Sequence, residues 1–307
     1  SGQNLFILSG YHSLLQKGIA FLQKRLSQSA GQRKEPAMSY QNMIDALALK
    51  MPKKIPRTEY SANTHWSLVS KVTGIPVTYQ SEPSIQAFAM CAAHPDQVNM
   101  TGIYVTMISG LLAVFGWEML LEGMGEDPDA FGGVANRYAD WILQYFRALA
   151  DSNADVVMIH DDIVWTSGPF TNPSWYRKYV FPNYEKLFEP LHKAGKKILY
   201  TSDGTYTQFA DDIAACGING FVMEPTTDME YIAKRFGKTH CFVGNADCRI
   251  LTFGSREDIR REVERCVNIG REYPGFVMAV GNHIPSNVPV DHAIYYNECY
   301  ESLAYRS

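Results

Sequence analysis

The sequence predicts an α/β chain folded as a TIM-type (β/α)8 barrel. Three observations predict it: short apolar runs recur, amphipathic helical segments separate them, and no glycine-rich phosphate loop follows the first run to favour an open doubly wound sheet. With 307 residues, 46% of them hydrophobic and 12% aromatic, the chain is long enough to bury a large core.

Taken in order, residues 5–28 place Leu15, Ile19, Leu22 and Leu26 at helical spacing, and the polar stretch GQRKEP follows. Residues 1–38 therefore read as an N-terminal helical extension and linker, and residues 39–307 as the barrel domain. A short helix over 39–50 ends before MPKKIPR, and IPRTEYS (55–61) offers a first strand. The clear strand runs are GIYVTMIS (102–109), DVVMIHD (155–161), KKILYTSD (196–203), INGFVME (218–224), HCFVGNAD (240–247) and GFVMAVGNH (275–283). Asp127-Pro128 starts a helix with Val134, Tyr138, Trp141, Tyr145 and Leu149 on one face. Asn172-Pro173 starts another, closed by Gly195, and Ser255 with Asp258 forms a capping-box pattern. Right-handed crossovers through such helices make the sheet parallel.

Composition excludes several classes of partner. A formal charge of -4 and a pI near 6.1, with no basic run, argue against nucleic acid and anionic membrane surfaces. Six scattered cysteines without a CxxC pair read as reduced thiols in a cytoplasmic protein. The Ser-Gly start reads as a processed or tag-derived end, and the lysines in LLQKGIAFLQKRL argue against a signal peptide. The sixteen residues from Gly102 to Trp117 carry no charge, but glycines interrupt them, and a buried strand and loop is expected rather than a membrane span.

The chemistry is read from how the runs end. They close on His160, Asp161 and Asp162, on Ser202 and Asp203, on Glu224, on Asn245 and Asp247, and on Asn282 and His283. In a barrel the carboxyl ends of the strands form one rim, and that rim carries the active site. The plainer alternative is that Asp162, Asp203, Asp228 or Asp247 caps the following helix. Glu224, followed by Pro225, is the carboxylate with no evident local duty. Clustered carboxylates repel unless a proton or cation intervenes, which points to a divalent metal or a cationic substrate.

The ordered motifs HDDIVWTSGPFTNPSWYRKYVFPNYEKLFEPLHKAGKKILYTSDG, GFVMEP, GNADCRIL and VGNHIPSNVP resemble the uroporphyrinogen decarboxylase superfamily, which also holds corrinoid-dependent methyltransferases. The resemblance covers about residues 40–307 and implies a barrel with its pocket at the carboxyl rim. Against that family, Val77 to Gln97 is a short span for a second strand and helix, so the barrel is expected to be incomplete or distorted there. The arginine-containing first-strand motif of the decarboxylases is represented only by Arg57. In the methyltransferases zinc is held by a His-x-Cys pair, often a Glu, and a Cys; the matching positions are Thr201 and Asp203, Glu224, and Asn282 or His283. The resemblance thus implies a harder metal set of Asp203, Glu224 and His283, holding zinc through oxygen or a harder cation.

These readings make a corrinoid-linked methyltransferase or demethylase the first expectation, with corrinoid supplied by a partner protein and a small molecule as substrate. His160, Asp161, Asp162, Asp203, Glu224 and His283 are the expected catalytic residues, His160 and Asp161 delivering protons. Tyr60, Tyr206, Asn245, Asp247 and Asn282 are expected to bind substrate, and Trp165 to pack. A cofactor-free decarboxylase acting on a porphyrinogen or other acidic substrate is the alternative, and a non-catalytic corrinoid- or tetrapyrrole-binding barrel a further one. Neither nucleic acid nor membrane is expected as a partner, and homodimerisation is left open.

Overall fold

A computed structural model of the chain describes residues 38–59, 65–81, 86, 98, 100–152 and 154–306. The expected extension over 1–38 and the substrate-binding assignment of Tyr60 lie outside the described residues, apart from Met38.

Six parallel strands form one sheet in the order β1 (Met100–Ile103), β2 (Val156–His160), β5 (Lys197–Ser202), β6 (Gly220–Met223), β7 (Cys241–Ala246) and β8 (Phe276–Val280). A two-stranded antiparallel pair, β3 (Val164–Trp165) and β4 (Gly168–Pro169), makes a small hairpin after β2. Residues 55–59 add a further stave beside β8: Thr58 N–H donates to Met278 O at 3.0 Å and Met278 N–H to Pro56 O at 2.9 Å. The IPRTEYS reading therefore identifies a real partner of β8. Between that stave and β1 the described residues supply no strand, so the barrel is not closed among them, as the shortness of Val77 to Gln97 leads one to expect.

Side chains alternate across each strand, and the sheet accordingly has two apolar faces. Val156, Met158, Leu199, Val222, Cys241, Val243, Val277 and Ala279 pack inside the barrel. Ala46 and Leu47 of the helix Met38–Leu47 join that interior cluster. Val157, Ile159, Tyr200, Phe221, Phe242 and Phe276 face outward into the larger core shared with the helices.

The helix signals hold with three differences, the first being that the segment opened by Asn172-Pro173 is not one helix but two, Pro173–Tyr179 and Phe181–Lys193, which meet at Val180. Asp127 caps the helix Pro128–Ala150 by accepting from Ala130 N–H, Asn172 caps Pro173–Tyr179 through Ser174 N–H, and the Ser255–Asp258 capping box has both of its hydrogen bonds. The buried face of Pro128–Ala150, however, is Phe131, Ala135, Ala139, Ile142 and Phe146, while Trp141 is 53% exposed. Small residues at 135 and 139 allow close helix approach, whereas the aromatic stripe read from sequence lies around the edge of that contact. The uncharged run after Gly102 is a strand end followed by the helix Met107–Glu126, not strand and loop. Gly116 within it has φ 71° and ψ 171°, so two shorter helices meet there and neither alone has the length to cross a bilayer.

Candidate active site

Three strand ends meet at the rim. His160 and Asp162 continue the inward phase of Val156 and Met158, Asp203 that of Leu199, and Glu224 that of Val222. His160 Nε2 lies 3.0 Å from Asp162 Oδ1 and 3.8 Å from Asp203 Oδ1. Asp162 Oδ1 also accepts the Asp203 backbone N–H at 2.9 Å, tying the end of β2 to the end of β5. Glu224 has the duty that no local sequence feature showed. Its Oε2 accepts the Gly204 N–H at 2.8 Å and its Oε1 accepts the Asn282 amide at 2.6 Å, so one carboxylate joins the ends of β5, β6 and β8.

The charges perturb one another. Burial disfavours the His160 imidazolium, but the hydrogen bond and charge of Asp162, with the charges of Asp203 and Asp161, outweigh it and raise the histidine above its ordinary value. Burial likewise pushes Asp162 upward, and the hydrogen bonds from His160 and the Asp203 N–H more than offset it, leaving Asp162 low. Asp203 is pushed up to about 6 by burial and by the charges of Glu224 and Asp162, with only His160 opposing. One donor atom each from His160, Asp162 and Asp203 lies within 4.8 Å of the others, a nitrogen–oxygen set that fits a hard or borderline divalent ion. This trio differs from the expected Asp203, Glu224 and His283: both oxygens of Glu224 are engaged, and exposed His283 follows Asn282, whose Oδ1 accepts its N–H at 2.7 Å.

Several expected site residues are held elsewhere. Asp161 points to the opposite face of β2 and is fully buried behind the sheet, so the direct proton-delivery role expected of it is corrected. Tyr206 is buried as well; its hydroxyl donates to Val222 O at 2.8 Å and its ring packs against Tyr200, not against the mouth. Asp247 is the N-cap of the helix Cys248–Phe253, accepting from Arg249 N–H, and it pairs with the Arg249 guanidinium. Asn245 is 1% exposed; its amide donates to Glu224 O and Thr227 O, and its Oδ1 accepts from Arg265. Neither Asp247 nor Asn245 is available to orient a substrate in this arrangement. Trp165 packs against Trp117 and Phe170 as expected, although it remains 46% exposed.

Arg57 also stays away from the rim. Its guanidinium carbon lies 5.6 Å from the Tyr296 ring centroid and 5.4 Å from that of Tyr300, outside the sheet. Its carboxylate neighbour is Glu59, with Nη1 and Oε1 3.9 Å apart. Burial raises the Glu59 carboxyl above its ordinary 4.5, against the opposing charge of Arg57 and the Val280 N–H bond. A carboxyl raised in the folded state contributes stability that is complete below pH 4.5 and is lost as pH rises through the higher folded value. Glu59→Gln is therefore expected to flatten that fall, measured by denaturant unfolding in half-unit steps upward from pH 4; an unchanged slope would show that Glu59 ionises as it does in water.

Sequence reasoning missed three participants. The Tyr104 ring, 57% exposed, lies 4.7 Å from the His160 ring at 35°. Ser109 Oγ accepts the Asp162 N–H at 2.9 Å. Gly204 supplies the Glu224 contact in a left-handed conformation, φ 84°. Alternation in the first run could have found Tyr104, since it shares the inward phase of Gly102; the other two needed coordinates.

Curated relatives include proteins named uroporphyrinogen decarboxylase from Pelobacter propionicus, 23% identical across 58% of this chain and 50% of that protein, and from Pseudoalteromonas atlantica, 28% identical across 54% and 46%. A Thermus thermophilus protein of the same name is 27% identical across 53% of this chain and 46% of its own. The chain thus matches about half the length of these relatives. A solved methyltransferase from Methanosarcina mazei superposes with a TM-score of 0.63 over 86% of this chain and 98% of that one, at 13% identity, a likeness of fold. The model of the family described as uroporphyrinogen decarboxylase (URO-D) matches residues 51–302, a span that takes in the β8-paired stave, all six strands and the whole described rim. With that span matched and the barrel strands in place, the chain belongs to the uroporphyrinogen decarboxylase family.

Proposed function

We propose that this chain moves a one-carbon group from a small substrate, with a corrinoid carried by a partner protein as the other participant, in the cytoplasm. The observation that carries the reading is the sign of the rim. Asp162, Asp203 and Glu224 converge there, and the described arginine of the first stave is packed under Tyr296 and Tyr300. A polycarboxylate tetrapyrrole entering such a mouth meets repulsion, whereas a small neutral or cationic methyl donor does not.

Cleaving a methyl–heteroatom bond leaves negative charge on the leaving atom, or a lone pair that must be neutralised. His160 shares a proton with Asp162 through the Nε2–Oδ1 hydrogen bond of 3.0 Å, and Asp162, the more exposed member of the pair, is the one that can pass it to the mouth. Glu224 keeps β5, β6 and β8 in register around it, and Tyr104 covers one face of the imidazole. A divalent ion, in place of the proton shared by His160 and Asp162, would take its donors from His160, Asp162 and Asp203 and when bound would supply Lewis-acid polarisation of the leaving atom.

The curated relatives' shared name favours a second reading, decarboxylation of an acidic substrate. The two separate in one assay series. Protein incubated with reduced cobalamin and a panel of methyl ethers and methylamines should produce methylcobalamin, and elemental analysis should find about one divalent ion per chain, lost in Asp162→Ala. Conversion of uroporphyrinogen to coproporphyrinogen, with no methylcobalamin from any donor, would replace the first reading by the second.

A further inference from the structure

Asp161 and Asp162 are neighbours on opposite faces of one strand, and the buried member is the more heavily bonded. Asp161 Oδ1 accepts the backbone N–H groups of Ile108 and Ser109 at 2.9 and 2.7 Å, and Oδ2 accepts the Tyr184 hydroxyl at 2.5 Å. It therefore anchors the first turn of Met107–Glu126, a helix whose own N-cap, Thr106, makes no side-chain cap bond. Thr106 instead donates through Oγ1 to His160 O at 2.8 Å. The segment fixed in this way delivers two groups to the rim: the Tyr104 ring over His160, and Ser109 Oγ beneath the Asp162 N–H. A carboxylate accepting backbone N–H groups at a helix start is a strong, directional tie.

We infer that Asp161 is a positioning residue, which sets the Tyr104–His160 stack and the Ser109–Asp162 contact from behind the sheet. The inference rests on the rim reading above for what the site does, but its test does not depend on turnover. With the full chain labelled at histidine ring carbons, the His160 ring C–H signal, assigned by its absence in His160→Gln, should lie upfield because of the Tyr104 ring current. Tyr104→Leu defines the unshifted position.

Asp161→Ala should move the signal to that position, while Tyr184→Phe, which removes one hydrogen bond and leaves both backbone ties, should not. An Asp161→Ala signal at the wild-type position would overturn the inference and leave Asp161 a purely structural acceptor. Should that variant fail to fold, Asp161→Leu, which nearly keeps the side-chain volume and removes the Oδ1 that takes both backbone N–H groups, should move the signal likewise; an unmoved signal there would overturn it equally. Loss of the stack in a protein that transfers no methyl group would sink the proposed function and leave this inference standing; an unmoved stack in an active enzyme would do the reverse.

Discussion

His160→Ala is expected to lower methyl-transfer turnover by about two to four orders of magnitude while leaving the fold intact. Among the described rim groups His160 is the imidazole bonded to Asp162, and it is the group whose positive form opposes the upward push on Asp203. Removing it takes away the proton-holding nitrogen and leaves Asp162, Asp203 and Glu224 facing one another without that compensation. Structural losses should be small. The backbone carbonyl that Thr106 uses is retained, and the Tyr104 contact is a single exposed ring pair worth about 1 kcal/mol. Single-turnover rates with thermal unfolding on the same preparation make the check. A rate within threefold of the parent, at equal stability, would remove His160 from the chemistry, and with it the case that the rim is reactive.

The distinction between His160 and Asp161 also marks where the sequence became illegible. The strand runs, the capping residues and the barrel class follow from composition and period, which are local properties. The rim was legible wherever strand phase was carried to the last residue: Met158 predicts His160 and Asp162, Leu199 predicts Asp203, and Val222 predicts Glu224. Treating HDD as one polar cluster ignored that phase and put Asp161 on the wrong side of the sheet. The same reasoning fails at Asn245 for another cause. Its strand phase is inward, but Gly244 has φ 139°, and Arg265, twenty residues on, occupies the Asn245 carbonyl oxygens. Asp247 illustrates the competing local rule, because an aspartate beginning a helix after a strand caps that helix when an N–H lies within reach. Glu224 was identified by elimination, and its actual bonds, to Gly204 and Asn282, join residues 20 and 58 positions away. No window of sequence contains those pairs.

Gly204→Val is expected to destabilise the domain by about 3 kcal/mol and to disable the rim as well. Gly204 has φ 84°, a region that costs an L-residue about 1–2 kcal/mol, more for a β-branched one. A Cβ built there would also lie 2.5 Å from Trp165 O and 2.6 Å from Trp165 C. Those are backbone atoms of the β3–β4 hairpin, and they cannot turn aside as a flexible side chain could; Thr205 N–H is bonded to the same carbonyl at 3.1 Å. Forcing the two backbones apart adds roughly 1–3 kcal/mol of overpacking. In a domain of this size the sum corresponds to a fall in melting temperature of roughly 6–12 °C. Displacement of the Gly204 N–H releases Glu224 Oε2, so the carboxylate that joins three strand ends loses one of its two anchors. Gly204→Ala should show the same pair of effects at smaller amplitude, since it meets the same carbonyl with a single carbon. Activity lost without any fall in melting temperature would mean that the loop moves freely and that Glu224, not the backbone approach, sets the requirement for glycine. A melting temperature and rate both equal to the parent's would show that the hairpin does not lie against the rim at all.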